Sequence, residues 1–503
     1  MNPLDSLVAV LSPQWALRRE TARFKLDLLK RRYDAASHSK RTQGWRASNR
    51  SPREATLADL ATLRARSRNL TENNEWAAEA LRSWTRNAIG TGTRLHVRGG
   101  AEAERDTARE LWRDHMLLST KVDPARQLNF GGIERVVMRE VVEAGECLIR
   151  RRWRQSSSTL DVPFQLQVIE ADHLDTHKRL ETDSSRVVQG VQYSKRGSIQ
   201  GYWLFTEHPG DSMGFLGESI FVPARDVIHV FDIWRAGQVR GVPWGACVML
   251  KLRDFDLFED ATLQRALVAR MLVGFVRDIA MDDSGTQESD IDVSELELTP
   301  GGFEELPGGK TVEFSDPPDP VGVEEFSTVS LRGISKGYGV PYEELTGDMS
   351  KVSYASGRLG RLPFACAIRE FQQLVWFPRV SRRVWEWFQD ATVDVAGLMP
   401  RRLRADFTAQ PPYLADPVTE LKAANMRVRG GYTSLSEEIR SMGRDPQEVW
   451  EELSEDYERL DELGLVLDTD GRQVTAAGAP VGDAGGGAPD EGPDQESEEE
   501  IAA

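Results

Sequence analysis

The chain has 503 residues, 40% of them apolar and 28% charged, with a formal net charge of −17. That is enough for two or three compact units with real cores, and the lack of any run of eighteen apolar residues argues against a membrane span. Its three cysteines, Cys147, Cys247 and Cys366, form no Cys-x-x-Cys pair, which excludes a disulfide framework and a thiolate zinc site and points to a reducing cytoplasm.

Residues 17–53 are strongly basic, and 1–54 reads as an arm suited to nucleic acid, to an acidic neighbouring subunit, or to plain exposure. From Ala55, ATLADLATLRARSRNL sets Leu57, Leu60, Leu63 and Leu70 on one helical stripe. Asn73 and Asn74 then cap a second helix carrying Trp76, Ala77, Ala80, Leu81 and Trp84, which stops before Gly90. ERDTARELWRDHM predicts a third helix, and GGIERVVMREVVEAGECLIRRRW a helix running into a strand. Residues 160–232 alternate as strands do, in PFQLQVIEAD, RVVQGVQYS, GYWLFTEH and DVIHVFDIW.

At Val242-Pro243 the texture changes to one helical pattern of about thirty residues, a rod of about 45 Å with Pro243 in its first turn. Its apolar side holds Val248, Leu252, Phe255, Leu263, Leu267 and Met271, and its other side Asp254, Asp256, Glu259 and Asp260. Residues 276–324 are acidic and Gly/Pro-rich, with short strands such as KTVEF. EEFSTVSLRGISKGYG is helical and leads into a soft polar stretch, GVPYEELTGDMSKVSYASGRLG, residues 339–360. LPFACAIREFQQLVWFPRVSRRVWEWFQDA follows as a long helix kinked at Pro378. Three short helices come next: one opened by Asp416-Pro417, one by a Ser434/Glu437 capping box, and one by Asp445-Pro446 that ends at Gly464. The last two dozen residues carry acids and no base, the composition of a solvated tail. The fold class is α+β, mainly α.

Catalytic chemistry is scarce. Asp172, His173, Asp175 and His177 in EADHLDTH are the best metal candidates, but the segment follows a strand and reads as a turn. PGGKT at 307–311 has Glu304 where a phosphate loop needs Gly, and a strand follows. His115, His208 and His229 stand alone, and no Gly-x-Ser-x-Gly elbow occurs. A metal-dependent hydrolase built on 172–177 is the enzymatic alternative. The inventory otherwise points to a non-enzymatic assembly role with no catalytic residue, metal or cofactor.

Six segments, in one order, resemble the lambda-type portal proteins of tailed bacteriophages. They are LRARSRNLTENNEWAAEAL (63–81), VIEADHLDTH, GQVRGVPW (237–244), TPGGFEELPGGKTVEF, GVPYEELTGDMSKVSYASGR and DPVTELKAANMRVRGGYTS. The likeness runs from roughly residue 30 to 465, with one departure: Ala355 follows Tyr354 where the family often has consecutive hydroxylic residues.

The resemblance implies a ring of about twelve subunits at one capsid vertex of the virion, assembled in the host cytoplasm. Double-stranded DNA would be packaged and ejected through it without sequence preference. Implied partners are the large terminase ATPase and the capsid, scaffold and head-completion proteins, with no membrane. Another non-portal ring or scaffold protein of a virion is the alternative of the same class. The family's parts map as wing 55–242, stem helix 243–275, clip 276–324, second stem helix 325–345, tunnel loop 346–357, kinked helix returning to the wing 358–415, helical crown 416–465 and acidic tail 466–503.

A duplex channel has to guide a polyanion without holding it, and each basic contact to phosphate adds a salt-dependent binding increment. Acids on the rod therefore suit the lining, with Asp254, Asp256, Glu259 and Asp260 as candidates. The tunnel loop offers Met349, Ser350, Lys351, Ser353, Tyr354, Ser356 and Arg358 to DNA, hinged at Gly347 and Gly357. Lys351 is its clearest phosphate partner, and Arg358 is placed to pair with a nearby acid instead.

Overall fold

The computed structural model describes residues 49–155, 160, 162–182, 184–211, 217–270, 274–278, 310–314, 322–397, 403–409, 417–467 and 472. Most of the basic arm, the 276–324 stretch and the acidic tail lie outside these residues, as do Met271 and the PGG of PGGKT. The chain divides into two units, Met1–Ala55 and Thr56–Ala503. Of the first, 49–55 are described, where the Ser51 hydroxyl accepts from the Glu54 N–H at 3.3 Å.

Helix α1 spans Pro52–Asn73 and buries Leu60, Arg64, Ser67 and Thr71. The leucine stripe expected there is only partly right, because Leu57 is exposed and the inward row turns polar after Leu60. Asn74 caps α2 (Glu75–Ala88), its Oδ1 accepting from the Trp76 and Ala77 N–H groups at 3.1 Å. Then come β1 (Arg94–Arg98), α3 (Glu102–Trp112) and α4 (Phe130–Ala144).

Gly145, at φ +88, ends α4, and the chain turns into β2 (Glu146–Trp153). β2 lies between β3 (Phe164–Glu170) and, downstream, β8 (Val227–Phe231) in an antiparallel sheet. A second sheet takes β4 (Ser185–Val188), β5 (Val191–Ser194), β6 (Ile199–Leu204) and β7 (Ile220–Pro223) in meander order.

Successive β2 side chains point to opposite faces. Cys147 and Ile149 join the main core with α2 and α4, whereas Leu148 joins Ile169, Val191, Tyr202, Leu204 and Val222 between the two sheets. The main core is rich in tryptophan. Trp84 meets Trp244 and Phe364 edge to face at centroid distances of 4.6 and 5.0 Å, and Trp112 meets Phe388 at 5.1 Å.

The expected rod begins later than Pro243. A 3₁₀ turn covers Trp244–Cys247, and α5 runs Met249–Arg270, about 33 Å at 1.5 Å per residue. β9 (Gly274–Asp278) pairs antiparallel with β10 (Lys310–Phe314), so KTVEF is a strand and Lys310 opens it. α6 (Val323–Tyr338) packs on the base of α5 through Leu331 and Ile334. A side chain at Gly337 would run into Val248, so glycine there sets how closely the two helices approach.

α7 (Tyr342–Thr346) precedes α8 (Tyr354–Phe371). At Pro378 the helix does not simply kink. Gln372–Ser381 is π-helical before α9 (Arg382–Ala396) resumes, because proline lacks the N–H and its ring displaces the carbonyl one turn back.

β11 (Arg404–Thr408) pairs with β1. α10 (Pro417–Arg429), α11 (Leu435–Ser441) and α12 (Pro446–Leu463) follow, with Ser434 and Asp445 as N-caps. Asp445 also faces His96 at 3.5 Å and Arg109 at 3.7 Å, which fixes the start of α12 beside β1 and α3. Among the described residues, no helix is long and apolar enough to cross a membrane.

Candidate functional site

The soft segment is shorter than the sequence suggests. Gly347 caps α7 at φ +71, and the irregular stretch runs 347–353. Tyr354, Ser356, Gly357 and Arg358 lie in the first turns of α8. The cause is local. Ser353 and Ser356 cap reciprocally, with the Ser356 N–H donating to Ser353 Oγ at 3.3 Å and the Ser353 N–H to Ser356 Oγ at 2.9 Å. Gly357 is therefore a helical residue and not a hinge, while Gly347 keeps the left-handed backbone a hinge uses.

Within the loop, Asp348 Oδ1 accepts from the Ser350 N–H at 3.0 Å and from its hydroxyl at 2.6 Å. Those two bonds lower the Asp348 carboxyl pKa. Met349 is 62% exposed. Lys351 Nζ reaches Glu324 at the start of α6 at 3.3 Å, with both side chains in solvent. Arg358 is exposed. The guanidinium that meets an acid is Arg361, 3.9 Å from Glu344, which in turn accepts from Ser83 and Asn87 of α2.

The four rod acids do not share a face. Asp254 and Asp260 are exposed, but Asp256 and Glu259 fall on the stripe of Leu252 and Phe255 and turn toward the start of α2. Asn74 donates to Asp256 at 3.4 Å. Burial, with Glu75, Asp256 and Asp260 close by, raises the Glu259 pKa. At 100° per residue, acids five and two positions apart cannot all oppose the packed stripe.

The 172–177 residues do not converge on a metal. Asp172 binds Arg68 at 2.6 Å, His173 Nδ1 lies 3.0 Å from the Phe205 carbonyl, and Asp175 accepts from Ser219 at 2.7 Å. The ligand-type side chains that do meet among the described residues are Glu170, Asp172 and His208. The cation beside them is Arg68, which also lies 2.8 Å from Glu170.

That contact belongs to a buried charge cluster that the sequence did not disclose. Glu146, at the start of β2, is fully buried, and so is Arg240. Glu146 accepts from Arg240 Nε, from His229 Nε2 and from the Gly241 N–H, each at 2.8 Å. A carboxylate can only accept, so Nε2 of His229 carries the hydrogen. Arg240 also donates to the carbonyls of Ala171 (3.1 Å) and Gln189 (3.3 Å). Arg64 lies 3.8 Å from Glu146 and 3.7 Å from Asp172.

Burial alone would raise the Glu146 pKa, but Arg240, His229 and Arg64 outweigh it and hold the group well below the usual carboxylate range. Burial pulls His229 down. Nearby Glu140 is pushed up to about 7 by burial and by Glu170 and Glu143. Three guanidiniums (Arg64, Arg68, Arg240) thus face three carboxylates (Glu146, Glu170, Asp172). They come from α1, from the sheet, and from the strap that leads to α5. Sequence reasoning missed Arg64 and Arg68 as site residues, and their i, i+4 spacing on α1 is the one local signal that joins them.

The strap is also held through its backbone. A side chain at Gly145 would run into Val242 and Pro243, and one at Gly241 into the Gly145 carbonyl. Segments quoted above for their family resemblance, around Arg64, Glu170 and Arg240, therefore meet at one place.

Residues 38–372 match the family described as phage portal protein, lambda family. A probable portal protein of Halomonas phage phiHAP-1 is 27% identical over 438 residues, covering 81% of this chain and 82% of that one. Portal protein B of Escherichia phage lambda is 23% identical over 473 residues, covering 83% and 87%. A chain of the native gene transfer agent virion superposes with a TM-score of 0.44 at 14% identity, over 78% of this chain and 99% of that chain.

Proposed function

Since the chain belongs to the lambda family of phage portal proteins, structural components of the virion at a capsid vertex, we propose that its copies close into a ring of about twelve. The ring surrounds a channel through which double-stranded DNA is packaged and later ejected. The 55–242 region forms the wing, α5 and α6 the stem, 276–324 the outward clip and α10–α12 the crown. The 347–353 loop is directed into the bore.

The observation that carries the loop assignment is its construction. It leaves α7, the short helix after the stem, at Gly347, holds its own polar groups satisfied, and exposes Met349 and Lys351 on a short backbone between two helices. Such a segment meets a passing phosphate backbone without a deep binding site, and Lys351 exchanges Glu324 for phosphate at little cost because both are solvated. Asp254 and Asp260 are the rod acids free to face DNA. Exposed Leu257, Leu263 and Leu267 on α5, with Val329 on α6, suit packing against neighbouring stems. We read the protein as non-enzymatic, with a terminase ATPase docked on the clip supplying the energy.

Cryo-electron microscopy of the assembled protein viewed down its axis tests this reading. The expected image is a closed ring with 347–353 facing the hole. A compact monomer, or a ring with that loop on its outer surface, would remove the proposal.

A further inference from the structure

Beyond the main core, the second face of β2 carries a row of arginines. Leu148 on that face packs against the β4–β7 sheet and Glu146 is sealed by Arg240 and His229, but Arg150 and Arg152, with Arg154 just past the strand, continue beyond the apolar seam. There the two sheets part around a cleft of about 520 Å³, whose walls include Arg150, Arg152, Gln167, His173, Thr206 and His208.

None of the three arginines forms an ion pair among the described residues. Arg152 donates to Gln167 at 2.8 Å and Arg154 to Gln165 at 2.8 Å, both neutral partners. The Arg150 side chain makes no hydrogen bond among the described residues, and burial together with Arg152 lowers its pKa, with Asp226 opposing. Of the two carboxylates on the cleft wall, Glu170 is engaged by Arg68, and Asp211 is exposed at the rim. Asp226, the carboxylate that acts on Arg150, is already bound by Arg151 at 2.7 Å. In a chain with 80 acidic against 63 basic residues, half-buried Arg150 and Arg152, with exposed Arg154 beyond them and no carboxylate of their own, form an unfilled anion site. Guanidinium forks match carboxylates.

We propose that this cleft receives the chain's own acidic C-terminal segment, residues 490–500, from the same or a neighbouring copy. The sequence DEGPDQESEEE carries Asp490, Glu491, Asp494, Glu496, Glu498, Glu499 and Glu500 and no base. Glu496, Glu498 and Glu500 alternate along the chain as Arg150, Arg152 and Arg154 do. An extended segment therefore presents carboxylates roughly 7 Å apart, the spacing of alternate residues on a strand. The 23 residues from Leu467 to Asp490 span up to roughly 75 Å when extended, so reach does not restrict the pairing to one copy. Docking would cover the anion site on the wing and keep a polyanionic tail away from the DNA path. The inference does not depend on where the 347–353 loop points.

The test uses the full chain with a photoreactive benzophenone amino acid in place of Ser497, irradiated and mapped by mass spectrometry. Cross-links are expected within residues 165–170 and 204–211. Arg150→Glu with Arg152→Glu should reduce their yield at least about tenfold, as should raising the salt from 50 mM to 0.5 M, since each lost charged hydrogen bond weighs about as much as a tenfold change in binding. The single Arg150→Gln variant guards against misfolding: with no side-chain hydrogen bond to lose among the described residues, it should melt like the parent yet cross-link less. Cross-links elsewhere, or a yield indifferent to both substitutions, would overturn the proposal. So would a yield that the charge reversal leaves intact while binding of a duplex oligonucleotide falls, because the cleft would then be a phosphate site.

Discussion

The buried cluster around Glu146 and the exposed loop around Lys351 use the same chemistry, a cation against a carboxylate, to opposite ends. At Glu146 the partners are sealed from water, each lone pair is taken, and the contacts join segments 94 and 83 residues apart. At Lys351 the partner Glu324 is 84% exposed at its side chain, and the pair sits in salt water. A buried ion is costly to leave alone, whereas an exposed one exchanges partners readily. Position decides the role. The first pair fixes the geometry of the strap into the stem, and the second leaves a cation free to trade one anion for another.

The sharpest way to break this contrast is to remove Glu146. Glu146→Ala would leave Arg240 and His229 buried without their acceptor, and we expect about 3–5 kcal/mol of destabilisation, read as a large drop in thermal midpoint and loss of ring assembly. A variant that melts within a degree or two of the parent would show that water fills the site and that the cluster is not structural. Gly145→Ala tests the same junction through the backbone. Its φ of +88 and the Val242–Pro243 backbone against it predict a loss of about 2–3 kcal/mol, measured by urea unfolding. A neutral result would mean that the strap moves away without consequence.

The third test concerns pH. Glu134 accepts from the Thr93 N–H at 2.7 Å and from Trp376 Nε1 at 3.2 Å, yet burial pushes it up to about 7, as it does Glu140. Both folded-state values lie above that of an ordinary carboxyl. The folded protein thus holds more protons than the unfolded chain between about pH 4.5 and 7, and stability falls as pH rises through that window. We expect about 2 kcal/mol less stability at pH 8 than at pH 5, and a flatter profile in Glu140→Gln, which also removes repulsion with Glu170 and Glu143. Urea midpoints at the two pH values decide it. His229, whose pKa burial lowers, opposes this fall as it titrates, so the deciding comparison is between variants: a Glu140→Gln profile no flatter than the parent's would contradict the assignment.

What was legible in the sequence was whatever local rules write. Asn74, Ser434 and Asp445 cap the helices they were expected to cap, and the strand alternation of residues 160–232 and the helical texture after Pro243 reappear in the structure. Features set by partners far along the chain were not legible. The inward row of α1 is Leu60, Arg64, Ser67, Thr71 because Glu146, Asp172 and Glu143 await it, and no period in 55–70 reveals them. Asp256 and Glu259 looked like lining for the same reason: their packing partners, Asn74 and Trp76, are some 180 residues away. For the loop, the Ser353/Ser356 cap was present in the sequence but masked by the flexible composition around it.

The smallest expected effect on stability is also the one closest to function. Lys351→Ala removes a pair whose members are both mostly exposed, and exposed pairs of this kind are worth about 0–1 kcal/mol. The thermal midpoint and ring assembly should therefore be unchanged. The change should appear where the loop meets phosphate. In particles carrying the variant, DNA packaging or retention should differ from the parent, and the difference should shrink as salt rises, because the lost contact is a screened charge. Glu324→Gln is the complementary variant. It frees Lys351 without deleting it, so it should shift retention in the opposite direction. If both variants packaged and retained DNA as the parent does, Lys351 would have no part in the channel. If both shifted it the same way, the ion pair itself, and not the free cation, would be what the loop contributes.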